Sequence, residues 1–189
     1  KKLPKFKMDL EQKLKILVNK LSTGNFDEVI FEATYLNKKH PEQEIFYNLL
    51  SLGYQGKGEY EKSIDLLENA LKKSKNNINF LNNLGLSYYK KKEYDPAEKY
   101  FQKVLEIKPN YINTLNNLAA LYEEINHVEK SEDLLKKSIK INSEVIETNY
   151  NLASLLQSIG KFDEAKIYYK KILKLDGNFT KADRGIAML

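Results

Sequence analysis

Three sets of residues in this sequence could do chemistry by their type and spacing. The first is the glycine cluster Gly53-Tyr54-Gln55-Gly56-Lys57-Gly58. It has the glycines and lysine of a phosphate-cradling loop, but no Ser or Thr follows the Gly-Lys pair and no strand pattern precedes it, so it reads as a helical-hairpin turn. The second is His40 and His127 with the surrounding carboxylates. The two histidines are far apart in sequence, the chain has no cysteine, and Glu123, Glu124 and Glu129 alternate with lysines at helical spacing. That pattern predicts a solvated, ion-paired helix face rather than a metal centre or an acid–base pair, so no metal, no cofactor and no catalytic residue is expected. The third is a set of asparagines recurring at a fixed interval: Asn48, Asn82 and Asn116 in one series, Asn83, Asn117 and Asn151 in another. Each amide offers one acceptor oxygen and two donor hydrogens, enough to bracket the N–H and C=O of another backbone.

The interval comes from the elements that must hold those amides. Written in blocks of 34 from Leu10, Glu44, Ile78, Ile112 and Ile146, the sequence aligns with itself over residues 10–179 without insertion or deletion. The seventh place of the blocks reads Ile16, Leu50, Leu84, Leu118 and Leu152, and the seventeenth reads Phe26, Tyr60, Tyr94, Val128 and Phe162. Such columns stay apolar because they are buried; the first block departs from the pattern most. Its first helix shows Leu10, Leu14, Leu17 and Leu21, a face turned by about one residue.

Inside a block the apolar spacing is helical twice over. Leu81, Leu84 and Tyr88 form one set, and Tyr94, Ala97, Phe101, Val104 and Leu105 form the next. Gly58 and Gly160 mark the break between the sets, where a left-handed residue suits the turn. Pro96 falls in the first turn of a second helix, and Pro41 and Pro109 follow second helices and stop them. Each block is therefore read as a helical hairpin. Leu81, Leu84-Gly85, Tyr88, Ala97, Phe101 and Pro109 resemble the tetratricopeptide repeat pattern, with Leu81 standing where that family usually has Trp.

The resemblance implies an all-α, right-handed superhelical solenoid of antiparallel helix hairpins, with the first helix of each pair lining a concave groove. The expected division is a polar basic lead-in at 1–9 and repeats at 10–43 (atypical and capping), 44–77, 78–111, 112–145 and 146–179. Residues 180–189 are then the start of a capping helix, expected to continue in the native polypeptide. The family places the amide positions on the groove wall. The candidate peptide-binding residues are accordingly Asn48, Asn79, Asn82, Asn83, Leu86, Tyr89, Asn113, Asn116, Asn117 and Asn151, with Gln55, Glu123, Ser154 and Gln157 nearby. The eleventh-place tyrosines, Tyr54, Tyr88 and Tyr122, are assigned to the core. A heat-shock co-chaperone type of carboxylate clamp is not expected in the central repeats, because their groove places carry neutral amides instead of lysines and arginines. An amide-lined groove looks more like the repeat domain of O-linked N-acetylglucosamine transferases. Against this stands the high asparagine content, 19 of 189 residues, which fits an A/T-rich genome, and a string shared by the third and fourth blocks that points to duplication.

The net charge of +5 narrows the partners further. Lysine supplies 30 of the 31 basic residues, Arg184 being the sole arginine, and Lys1, Lys2, Lys5 and Lys7 precede the first amphipathic stretch. Without residues 1–9 the chain carries +2, too little for a nucleic-acid stripe, so no nucleic-acid partner is expected. No apolar run reaches the roughly 18 residues of a membrane span, and a soluble, cytoplasmic protein is expected. The reading is a non-catalytic interaction module that holds an extended peptide or protein segment in an asparagine-lined groove. An alternative is the substrate-recruiting N-terminal domain of a transferase, since residues 175–189 resemble the junction where bacterial repeat arrays meet sulfotransferase domains; a glycosyltransferase fusion is a further form of it. End-to-end self-association through the terminal hairpins is a third expectation.

Overall fold

The computed structural model describes residues 9–189. The lead-in lysines Lys1, Lys2, Lys5 and Lys7 lie outside the described residues. The described chain is all-α, with the elements α1 Leu10–Ser22, α2 Phe26–Lys39, α3 Glu44–Gly56, α4 Tyr60–Leu71, α5 Ile78–Lys90, α6 Tyr94–Ile107, α7 Ile112–Glu124, α8 Val128–Ile141, α9 Ile146–Ser158, α10 Phe162–Leu175 and α11 Thr180–Ala187. None is long and apolar enough to cross a membrane. Asp9, counted with the lead-in from sequence, caps α1: its Oδ1 accepts from the Gln12 N–H at 2.7 Å.

One backbone device closes the first helix of all five hairpins. Gly24, Gly58, Lys92, Asn126 and Gly160 all have φ between 60° and 79°. The residue after each donates its N–H back to a carbonyl of the preceding helix, as from Glu59 to Tyr54 at 2.9 Å, from His127 to Tyr122 at 2.7 Å and from Lys161 to Leu156 at 2.8 Å. This is a Schellman closure, which satisfies carbonyls that the helix end would otherwise leave open. Only three of the five left-handed places hold glycine. Of the glycine cluster noted from sequence, only Gly58 is in the turn. Gly53 and Gly56 lie within α3 where it crosses α2, and a Cβ on Gly53 would sit 2.8 Å from Cγ1 of Ile30. Their chemistry is close packing.

The chain divides into two compact units, meeting at Ala97 and Glu98 inside α6. In the first, each helix packs on its sequence neighbour, and the alternate helices α1, α3 and α5 also touch in succession. Leu17, Val29, Ala33, Leu36, Phe46, Leu49 and Leu50 form its N-terminal core, with Leu10, Leu14 and Leu21 packed against them. Ile16 is 38% exposed while Leu17 is fully buried, so the face of α1 is turned by one place as its leucines predict. In the second unit, α7 to α11 pack in sequence order and α7 also touches α9. Its core contains Ala119, Leu135, Leu152, Leu155, Leu156, Tyr169 and Ile172, and α11 closes over it with Ala182 and Ile186, joined by Leu189 just after the helix.

Candidate functional site

The recurring amides lie on α3 and α5 in the first unit and on α7 and α9 in the second. A fifth and a sixth place on one helix differ by a turn of about 100°, so the two asparagine columns meet different surroundings. The burial of their members follows that difference.

In the first unit Asn82 is 7% exposed, whereas Asn83 is half-buried and Asn79 is exposed. Asn83 Nδ2 donates to Asn48 Oδ1 at 3.3 Å, tying α5 to α3 side by side. Below this pair the Gln55 amide donates to the Asn83 carbonyl at 2.9 Å and to Ser87 Oγ at 2.8 Å. Ser63 joins Ser87 at 2.8 Å and Ser51 at 3.2 Å, so three buried hydroxyls bridge α3, α4 and α5. Leu86 and Tyr89 are half-buried on α5; the Tyr89 ring lies 6.3 Å from that of Tyr94, with the Lys90 ammonium 5.5 Å from its centroid.

In the second unit Asn116 is 3% exposed, and its Nδ2 donates to Thr148 Oγ1 at 2.9 Å. Thr148 Oγ1 lies 3.2 Å from Ser138 Oγ as well, so this amide joins α7 to α9 and, through the hydroxyls, to α8. The fifth place thus holds an internal strut at Asn116. Asn117 and Asn151 at the sixth place are half-exposed, and Asn113 is exposed. Asn113 and Asn151 make no side-chain hydrogen bond among the described residues. Tyr150 takes the fifth place in α9 and packs on Tyr169 and Phe179, with ring centroids at 6.1 and 5.8 Å.

The eleventh-place tyrosines are inward: Tyr122 is 7% exposed, and Tyr54 and Tyr88 are half-buried. Tyr122 donates its hydroxyl to Glu98 at 2.7 Å. Burial, then that carboxylate, pushes the phenol up to about 12, so it remains a neutral donor. His127 is exposed beside the Tyr122 ring, and His40 lies 3.8 Å from Glu42. Among the described residues no group of three His, Cys, Asp or Glu side chains converges to hold a metal ion.

The struts were missed from sequence. Thr148, Ser138, Ser63 and Ser87 are small polar residues without a shared period, and their one signal is a hydroxyl standing in an otherwise apolar stretch.

Tetratricopeptide repeat models match residues 78–111, 100–133 and 146–179, and a TPR repeat model matches 54–92. No curated protein matches the chain. Among solved structures, a thermophilic TPR protein of Thermus thermophilus superposes with a TM-score of 0.84 at 17% identity, covering 94% of this chain and 97% of that one. MamA superposes at 0.65 with 21% identity, covering 92% and 98%. The first TPR domain of Spaghetti (RPAP3), bound to an HSP90 peptide, superposes at 0.55 with 21% identity over 57% of this chain and 86% of that one.

Proposed function

The chain belongs to the tetratricopeptide repeat family, and on that premise we propose that it is a non-catalytic module whose first-helix faces bind an extended segment of another protein. A repeat array of this family is a protein-interaction scaffold, and one structural relative is bound to a peptide. The observation that supports the finer reading is the outward set of amides: Asn79 and Asn83 in the first unit, Asn113, Asn117 and Asn151 in the second. Asn113 and Asn151 keep both donors and the acceptor available, because no neighbouring side chain or carbonyl among the described residues engages them. An extended peptide backbone is the ligand that uses such groups without regard to its own side chains. In the second unit Asn116 braces α7 against α9, and in the first Leu86 and Tyr89 add apolar surface on α5.

Each amide contact contributes about 0.5–1.5 kcal/mol net, so affinity depends on several acting together. Replacing Asn83, Asn117 and Asn151 together by alanine tests the reading. The triple variant should keep its helical circular dichroism and fail to retain the proteins that the natural chain captures from lysate. Undiminished capture by the folded variant overturns it.

A further inference from the structure

The outer face of α2 in the first unit is apolar where the repeat does not require it. Phe31 and Tyr35, four places apart and so on one side of the helix, are 77% and 52% exposed. At about 100° per residue that side is turned away from Val29, Ala33 and Leu36, which fill the core. In the three central hairpins the same two places hold exposed polar residues: Asp65 and Asn69, Lys99 and Lys103, Asp133 and Lys137. The last hairpin repeats half of the pattern, with Ile167 64% exposed but Lys171 at the second place. Two neighbouring exposed rings are apolar surface in need of cover.

The charges around the rings select what covers them. Asp27 and Glu28 precede Phe31 by about one turn and Lys38 and Lys39 follow Tyr35 by about one turn, all four exposed. By the same helical angle Asp27 and Lys38 flank the rings on one side, Glu28 and Lys39 on the other. The Lys39 ammonium lies 4.5 Å from the centroid of the Tyr35 ring. Lys38 and Lys39 make no ion pair among the described residues. Asp27 and Glu28 meet Lys57 and Lys20 of their own chain at 2.5 and 2.8 Å, yet their side chains stay 82% and 62% exposed. A carboxylate has about four acceptor sites, so each has room for a second cation. The face is thus acidic at its start, aromatic in its middle and basic at its end.

We propose that this face docks on the same face of a second copy of the chain, the two α2 helices running antiparallel about a two-fold axis. A parallel pair would set carboxylate on carboxylate and lysine on lysine, which repel. The antiparallel pair sets Phe31 against the partner's Tyr35, Asp27 against the partner's Lys38 and Glu28 against the partner's Lys39, and the two-fold makes each contact twice. This differs from end-to-end stacking, because one helix side pairs with itself and the assembly closes at two copies. α2 carries none of the candidate peptide-binding amides, so the inference is independent of that reading. With two aromatic anchors from each copy the interface is small, and a Kd on the order of 100 μM is expected.

Sedimentation velocity across that Kd tests the assignment on the whole chain, with circular dichroism to check each variant's fold. The natural chain should pass from monomer to dimer and no further. Phe31→Lys with Tyr35→Lys should stay monomeric at every concentration. Lys38→Glu with Lys39→Glu, and separately Asp27→Lys with Glu28→Lys, should each be monomeric alone, because every cross-pair then repels. Mixed in equal amounts, these two charge variants should form a heterodimer, since each supplies the charge the other lacks. Ile167→Lys should leave the dimer of the natural chain unchanged. A natural chain that stays monomeric, a dimer that persists in the Phe31 and Tyr35 variant, a mixture that fails to associate, or a dimer lost in Ile167→Lys overturns the proposal. Should the Asp27 and Glu28 variant not fold, because those carboxylates also hold Lys57 and Lys20, the Phe31 and Tyr35 variant decides.

Discussion

Ser63 and Ser131 occupy the same place in their hairpins, and their surroundings make them opposites. Ser63 is bonded to Ser51 and Ser87, but Ser131, equally buried, has no hydrogen-bond partner for its hydroxyl. A buried hydroxyl without a partner costs about 1–3 kcal/mol, so Ser131→Ala should stabilise the protein by about 1 kcal/mol, while Ser63→Ala should destabilise it by a similar amount. Urea unfolding followed by circular dichroism would show the two midpoints moving in opposite directions. A second single-residue effect is at Lys92, which holds φ 66° where three of the hairpins have glycine. Removing its Cβ relieves left-handed strain of about 1–2 kcal/mol, less the entropy that glycine loses on folding. Lys92→Gly should therefore raise the urea midpoint modestly, and a lower midpoint would mean that the turn tolerates lysine without strain. This scale is also where the sequence was least legible. An asparagine at a repeating position looks the same whether it faces a ligand or a threonine, and only the fold put Asn116 against Thr148. A buried amide and an exposed one follow the same period; what separates them is the neighbouring helix.

Between helices, lysines act as clips from one hairpin to the next. In the first unit Lys57 reaches Asp27 of the preceding hairpin and Glu59 beside it, and Lys91 does the same with Glu61 and Glu93. The equivalent residues in the last two hairpins are Ile125 and Ile159, and there the link is made differently. Glu132 on α8, its side chain only 12% exposed, takes Lys136 on its own helix and Lys161 at the start of α10, the latter at 3.0 Å. Lys136 first and Lys161 second hold the Glu132 carboxyl below its usual range. A depressed carboxylate contributes stability that is present above its unfolded pKa of about 4.3 and is lost as pH falls through the lower folded value. Both lysines are partly exposed, so the contribution is screened to about 0.5–1 kcal/mol. Glu132→Gln should destabilise the protein at pH 7 by that amount, and the gap from the natural chain should narrow as pH falls below the unfolded pKa of about 4.3. A gap that persisted in acid would assign the effect to packing instead of charge. The helices themselves were legible because burial enforces a period: Leu84, Leu118 and Leu152 recur every 34 residues and are each buried. The clips were not, since exposed ion pairs impose no pattern on the apolar columns and Lys57 or Lys161 reads from sequence as one more solvated cation.

At the scale of the whole chain, the helices within each unit are held chiefly by their sequence neighbours, and stability is then close to a sum of local terms. Under that rule, removing one element should be felt mainly by the elements packed on it. α11 is eight residues long, packs on α10 and supplies Ala182 and Ile186, with Leu189 after it, to the core that also contains Tyr169 and Ile172. Its Gly185 lies against the Tyr169 ring, where any side chain would collide, so the fit of this short helix is specific to its place. Removing residues 180–189 uncovers that core. On the scale of burying one or two apolar side chains, the loss is on the order of 3 kcal/mol. Hydrogen exchange would localise it. Amides of α9 and α10 in the shortened chain should exchange on the order of a hundredfold faster, as about 1.4 kcal/mol corresponds to a factor of ten, while those of α3 and α4 should keep their protection. Sedimentation velocity at increasing concentration should then show the shortened chain associating, since the uncovered Tyr150, Tyr169 and Phe179 rings would be apolar surface in need of cover. Faster exchange spread evenly from α3 to α10 would instead mean that the chain unfolds as one cooperative body and that α11 supports every hairpin in it.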